Sequence, residues 1–124
     1  MINLLAIKKT IEIDFADIII DVLIKDINEM RIIFIDDTFL DIWFSLKIGN
    51  RYSYHWERRF KDNTIYRHDN IPHKKWSKIK TFPKHFHHKS PDNVKESRIN
   101  DDLNIGVIEF LEFVRENLAT TKYA

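Results

Sequence analysis

Between residues 18 and 68 the chain repeats short segments rich in β-branched and aromatic residues, and brief polar turns separate them. Such residues favour strands, and short connections join neighbouring antiparallel strands. The pattern therefore predicts an antiparallel meander of about four to five strands. The predicted strands are Ile18–Lys25, whose apolar run is also compatible with a helix, Met30–Asp36, Thr38–Leu46, Arg51–Arg59 and Thr64–His68.

The second half of the chain lacks this alternation. From residue 69 to about residue 100, three prolines interrupt any regular pattern, which predicts a long ordered loop that carries functional side chains. Apolar residues then recur at helical spacing over about 102–118, with Asp101 or Asp102 as the N-cap, and this helix is expected to pack on one sheet face. The first dozen residues fit a helix or a strand. We expect one α+β domain over residues 1–124.

Composition excludes several classes of protein. The 124 residues include no cysteine, so disulfides, thiolate metal sites and cysteine nucleophiles are ruled out. No apolar run approaches the roughly 18 residues that span a bilayer, and the N-terminus lacks a signal-peptide pattern. No Walker loop, Rossmann glycine motif, GxSxG or HExxH motif occurs. The expectation is a cytoplasmic protein without membrane association.

The charge is distributed unevenly. Residues 51–90 hold 11 Lys/Arg and 3 Asp/Glu, a balance of +8, whereas the rest holds 9 Lys/Arg and 16 Asp/Glu, a balance of −7. A basic region on an acidic body is typical of a site for an anion such as nucleic acid. The alternative is that the two regions neutralise each other within the fold.

All six histidines lie between His55 and His88, inside this basic region. Histidine suits proton transfer, metal ligation and phosphate contact near neutral pH. On the predicted strand Arg51–Arg59, alternation separates His55, Glu57 and Arg59 from the rings of Tyr52, Tyr54 and Trp56. The polar set could transfer a proton and hold a phosphate, or could be an ordinary solvated face.

Two further segments combine histidine with polar or basic neighbours. Asp69 could orient a histidine or bind a metal ion, although Asp69 and Asn70 are also common turn formers. His73-Lys74-Lys75-Trp76 offers ammonium groups for phosphate and a ring for stacking, which suits single-stranded nucleic acid.

The segment Thr81–Lys89 contains His85, His87 and His88. With Asp69 and His73, these side chains could form a metal site, but four nearby lysines disfavour a cation. Acid–base catalysis without a metal, as in ribonucleases that use the 2′-hydroxyl of the substrate, fits the positive charge better.

Three motifs resemble the TumE-type toxin family of prokaryotic toxin–antitoxin systems. They are Tyr52-Ser53-Tyr54-His55-Trp56, Tyr66-Arg67-His68-Asp69-Asn70-Ile71-Pro72-His73 and Thr81-Phe82-Pro83-Lys84-His85-Phe86-His87, within a resemblance that covers residues 29–118. It implies a small cytoplasmic toxin silenced by a cognate antitoxin. The matched candidates are His55, Arg67, Asp69, Asn70, His73, His85 and His87. The chain departs at His68, where Tyr is usual, at Lys74, where a second His is common, and at Lys84.

The leading hypothesis is a metal-independent ribonuclease toxin with no cofactor, with RNA and an antitoxin as partners. The candidate catalytic residues are His55, His73, His85, His87 and Asp69, and the candidate substrate-binding residues are Tyr54, Trp56, Arg59, Arg67, Asn70, Lys74, Trp76 and Lys84. The alternatives are a non-catalytic nucleic-acid- or partner-binding module and a divalent-metal hydrolase. A monomer and a homo-oligomer are both compatible with the sequence.

Overall fold

The computed structural model of the protein describes residues 2–122, with side chains up to residue 118. Seven antiparallel strands form one sheet, in which the strands lie side by side in the order of the sequence. One long helix precedes the strands and another follows them. The elements are α1 (Leu4–Asp14), β1 (Ile19–Asp26), β2 (Glu29–Phe34), β3 (Phe39–Phe44), β4 (Tyr52–Arg58), α2 (Arg59–Asp62), β5 (Thr64–Asp69), a 3₁₀ turn (Lys74–Trp76), β6 (His85–Lys89), β7 (Val94–Glu96) and α3 (Leu103–Lys122).

The predicted meander is confirmed, and all five predicted strands are present. Asp37, Asn50 and Asn63, which lie in the turns between consecutive strands, each adopt a positive φ of 61–72°. Asn and Asp tolerate this left-handed conformation better than other side chains with a Cβ. The chain, with only 2 glycines, can therefore make its tight turns without using them there.

The predicted strand number is too low, because the segment assigned to a long loop contains β6 and β7. The sequence HFHHK of β6 does not alternate between apolar and polar residues. It forms a strand because it pairs with β5, from Asp69↔His85 to Ile65↔Lys89, and then with β7. Tertiary pairing thus determined a strand that local pattern did not reveal.

The N-terminal segment, which fits either a helix or a strand, is a helix. The Asn3 side chain accepts hydrogen bonds from the backbone N–H groups of Leu5 and Ala6, which caps α1. Leu4, Ile7 and Ile11 recur at helical spacing and join the core. Within residues 2–122, no helix is both long and apolar enough to cross a bilayer.

The core lies between one sheet face and the two long helices, as predicted for the C-terminal helix. Phe113 of α3 contacts the ring of Trp56 edge-on, with 6.1 Å between centroids. Gly106 allows the chain just before α3 to pack against the helix, since a Cβ at residue 106 would lie 2.8 Å from the Asn100 carbonyl oxygen. The opposite face, here called the open face, carries Arg31, Asp41, His55, Arg67 and His87 in one row across neighbouring strands.

Candidate functional site

The site lies on the open face where β4, β5 and β6 are paired. Arg67 is the direct partner of His55 on one side and of His87 on the other. In the adjacent row, Asp69 lies between Ser53 and His85. Cross-strand partners on one face are close enough to interact, so register alone brings these residues together.

Asp69 is the central group of the site. Its carboxylate accepts hydrogen bonds from Arg67 Nε at 2.9 Å and from the Ile71 N–H at 3.0 Å, and His85 Nε2 lies 3.3 Å away. Burial raises the pKa of Asp69, but the contacts with His85 and Arg67 outweigh burial and hold it below its usual range. Asp69 is therefore a buried, ionised carboxylate that Arg67 and His85 hold in place.

His85 is held at both ring nitrogens. Nδ1 must donate to the Pro83 carbonyl oxygen at 2.8 Å, and Nε2 faces Asp69. Burial lowers the pKa of His85, but the Asp69 carboxylate and the Pro83 carbonyl favour the charged ring, and the net shift is upward. Only 3% of the side chain is exposed. His85 thus holds the Asp69 carboxylate in place.

His87 has a different environment on the same strand. Its Nδ1 donates to the Pro91 carbonyl oxygen at 2.8 Å, so Nε2 carries the lone pair in the neutral ring. That Nε2 lies 3.8 Å from Asp69 Oδ2, beyond hydrogen-bond length, and 12% of the side chain is exposed. Burial, together with the nearby charge of His85, lowers the pKa of His87. The lowered pKa keeps the ring neutral, with its lone pair on Nε2.

A loop residue forms one wall of the site. The Trp76 ring lies 6.0 Å from His87, 6.3 Å from His85 and 6.2 Å from His73, measured between centroids. The exposed His73 accepts a hydrogen bond from the Lys75 N–H at its Nδ1. The loop therefore brings His73 beside the same indole as His87.

His55 lies one strand away and is bound to Glu57 at 3.2 Å. Glu57 also holds Arg59, which is 58% exposed, at 2.6 Å. Hydrogen bonds from Arg59 lower the pKa of Glu57 to about 2, against the effect of burial. Burial lowers the pKa of His55 despite its contact with Glu57. Glu57 thus neutralises much of the charge that Arg59 would offer to a phosphate.

Two of the predicted substrate-binding residues are core residues. Tyr54 and Trp56 are 0% exposed and lie on the sheet face beneath the helices. Trp56 Nε1 donates to Thr38 Oγ1 at 2.9 Å. Neither ring presents a face to solvent, so stacking on a substrate base does not fit their positions.

Two others serve the local fold. The Asn70 side chain accepts from the Tyr52 N–H at 2.9 Å and donates to the Asn50 carbonyl at 2.6 Å, closing the end of β4. Lys84 binds the Ile99 carbonyl and, at 3.0 Å, Asp101 at the start of α3. Both side chains therefore have structural partners, whereas Lys74 is exposed in the loop beside Trp76.

Sequence reasoning missed Trp43. It lies half-buried on the open face, where Ser53 separates it from Asp69 in the same row. Among the described residues, its indole makes no hydrogen bond or ring contact. The alternation in TFLDIWFSL, which places Trp43 opposite Leu40 and Ile42, was the signal that could have identified it.

Asp69, His85 and His87 also form a potential ligand set for a metal ion. One atom from each, a carboxylate oxygen or a ring nitrogen, lies within 4.8 Å of the others. Arg67 and the Ile71 N–H already bind the carboxylate, and this opposes a cation. Within the described residues, this is the one cluster of three such side chains.

Comparison with protein families identifies the chain. The model of the family described as Toxin TumE matches residues 8–118, which is most of its length. The chain belongs to the TumE toxin family. The resemblance found in the three histidine-containing motifs is thereby confirmed and extends nearer the N-terminus than expected. A TumE toxin is the toxin of a toxin–antitoxin system and implies a cognate antitoxin as partner. Searches of the curated proteins and of solved structures gave no match.

Proposed function

We propose that this toxin is a ribonuclease that cleaves RNA on the open face, without a metal ion. One observation carries the proposal: Arg67 and His87 are direct cross-strand partners, and both approach the same Asp69 oxygen, Oδ2, with Arg67 Nε at 2.9 Å and His87 Nε2 at 3.8 Å. A proton acceptor beside a phosphate-binding cation is what attack by a 2′-hydroxyl on the adjacent phosphate requires.

In the proposed reaction, His87 and Arg67 each have one role. His87 Nε2 takes the proton of the 2′-hydroxyl as its oxygen forms a bond to phosphorus. The bond from phosphorus to the 5′-oxygen breaks, and that oxygen takes a proton from a water molecule. His87 then returns its proton to the hydroxide that is left. The products are a 2′,3′-cyclic phosphate and a 5′-hydroxyl. Arg67 stabilises the negative charge that develops on the phosphoryl oxygens.

The side chains around His87 support RNA as the substrate. Arg67 uses Nε for Asp69, and among the described residues its two terminal nitrogens have no hydrogen-bond partner, so they remain free for phosphate. Lys74 and Lys75 add positive charge in the exposed loop. Trp76 and Trp43 offer indole rings to bases on either side of Arg67 and Asp69, which favours single-stranded RNA over a duplex.

The test compares His87→Gln with His88→Gln. His88 is the next residue on β6, but its side chain contacts Tyr66 on the helix-covered face. Purified proteins are incubated with single-stranded RNA, with and without EDTA, and the ends of any fragments are analysed. We expect wild type and His88→Gln to cleave the RNA and to leave cyclic phosphate ends. We expect no cleavage by His87→Gln. Salt-dependent binding without cleavage would instead identify a non-catalytic RNA-binding module, and cleavage abolished by EDTA a metal-dependent hydrolase.

A further inference from the structure

The ligand atoms of Asp69, His85 and His87 have a geometry close to that of a zinc site. His85 Nε2 lies 3.3 Å from Asp69 Oδ1, and His87 Nε2 lies 3.8 Å from Asp69 Oδ2. Tetrahedral Zn²⁺ with bonds of about 2.0–2.1 Å places neighbouring ligand atoms about 3.4 Å apart. All three atoms lie within 4.8 Å of one another, so no pair needs to close by more than about 1.4 Å.

Both imidazole rings are oriented as metal-binding histidines are. Each donates its Nδ1 proton to a main-chain carbonyl, Pro83 for His85 and Pro91 for His87, and both contacts are 2.8 Å. These bonds fix the tautomer in which Nε2 carries the lone pair once the ring is neutral, and they restrict rotation of the ring. Metal-binding histidines regularly have such a carbonyl partner, and it raises their affinity.

The donor set selects among cations. Two imidazoles and one carboxylate suit Zn²⁺ and similar transition-metal ions, whereas Mg²⁺ and Ca²⁺ prefer oxygen ligands. Arg67 donates to Asp69 and places a positive charge against an incoming ion. Binding must therefore displace or tolerate this guanidinium, which limits affinity and favours reversible occupancy.

We infer that Asp69, His85 and His87 bind a transition-metal dication of the Zn²⁺ type, and that this ion inhibits the toxin. Inhibition rests on the proposed function, because the ion occupies the His87 nitrogen that would accept the 2′-hydroxyl proton. Metal binding itself does not depend on that function. The ion is thus an inhibitor at the site and not a resident catalyst.

The experiment measures binding and cleavage separately on the full chain. Protein stripped with EDTA and dialysed into metal-free buffer is titrated with Zn²⁺ by calorimetry, and Co²⁺ is used to follow ligand-field absorption bands. We expect one Zn²⁺ per chain in wild type and His88→Gln. Binding should weaken at least tenfold in His85→Ala and His87→Ala, and it should tighten several-fold in Arg67→Gln, which retains all three ligands.

The outcomes separate the two proposals. Equal Zn²⁺ affinity in wild type, His85→Ala and His87→Ala would overturn the site, because an ion bound elsewhere would not sense these rings. If Zn²⁺ binds as expected but RNA is never cleaved, the metal site stands and the ribonuclease proposal fails. If stoichiometric Zn²⁺ suppresses cleavage and EDTA restores it, both are supported. Cleavage that requires Zn²⁺ would overturn the inhibitory role.

Discussion

Arg67 and His87 are direct partners across the β5–β6 ladder, and the Arg67 guanidinium and the His87 imidazole both approach Asp69 Oδ2 on the open face. Local sequence does not predict this pairing, because 19 residues, which include a loop with turns, separate Arg67 from His87 along the chain.

His87→Gln should reduce RNA cleavage by about 10²–10⁴-fold, the usual contribution of a general base. The loss should appear in kcat, because glutamine keeps a polar group of similar size but cannot take the proton. Thermal unfolding should show the variant to be folded. A His87→Gln protein with wild-type kcat would remove His87 from the reaction and require another base.

Arg67→Gln should weaken RNA binding and reduce the slope of log affinity against log salt by about one, since one phosphate contact is lost. The same change should tighten Zn²⁺ binding, so the two ligands should respond in opposite directions. Arg115→Gln is the matched control, because Arg115 lies on α3 and binds Asp17 away from the open face. Filter binding at several salt concentrations measures the slope.

Trp43→Ala should weaken binding of single-stranded RNA by about 1–3 kcal/mol, the range for one base stacked on an aromatic ring, and should affect duplex RNA less. Trp43→Phe should retain most of the affinity because a ring remains. Fluorescence quenching by a 2′-deoxy oligonucleotide, which has no 2′-hydroxyl to react, isolates binding from cleavage. Equal affinities of the alanine variant and wild type would show that the indole only covers the sheet.

The contribution of Glu57 to stability should depend on pH. Hydrogen bonds from Arg59 lower the pKa of Glu57 from 4.5 to about 2 in the folded protein. The unfolded chain therefore binds the proton more readily, so the stabilisation is present above about pH 4.5 and is lost as pH falls toward 2. Because Arg59 is largely exposed, we expect on the order of 1–2 kcal/mol at pH 7.

Urea unfolding of wild type and Glu57→Gln at pH 7 and pH 3 measures this contribution. The difference in unfolding free energy between the two proteins should be largest at pH 7 and should shrink at pH 3. A difference that stays constant over this range would mean that the Glu57 charge does not stabilise the fold.

Local periodicity explains which parts of the fold could be predicted. The alternation of Tyr52, Tyr54 and Trp56 with polar neighbours identified β4, because strand side chains alternate between faces whatever the tertiary context. Periodicity does not reveal which face a helix will cover, however. For this reason the sequence favours Tyr54 and Trp56 as substrate contacts and does not single out Trp43, which lies on the open face.

The histidines show the same limit. His87 and its neighbour His88 are adjacent in sequence but lie on opposite sheet faces. His68 is also on the covered face, where burial lowers its pKa to about 3 and its ring stacks on Phe86. The cluster of histidines in the sequence is therefore two groups in space.

The sequence by itself determined the antiparallel meander, the closing helix, the basic segment and the toxin family, because local patterns and motifs of a few residues encode each of these. Only the tertiary structure decided that His85 and His87 form a strand against β5 and converge on Asp69. It also showed that Lys84 donates a hydrogen bond to a backbone carbonyl and that Asn70 accepts one from a backbone N–H. The physical reason is that register, burial and competing hydrogen bonds arise only between segments distant in sequence.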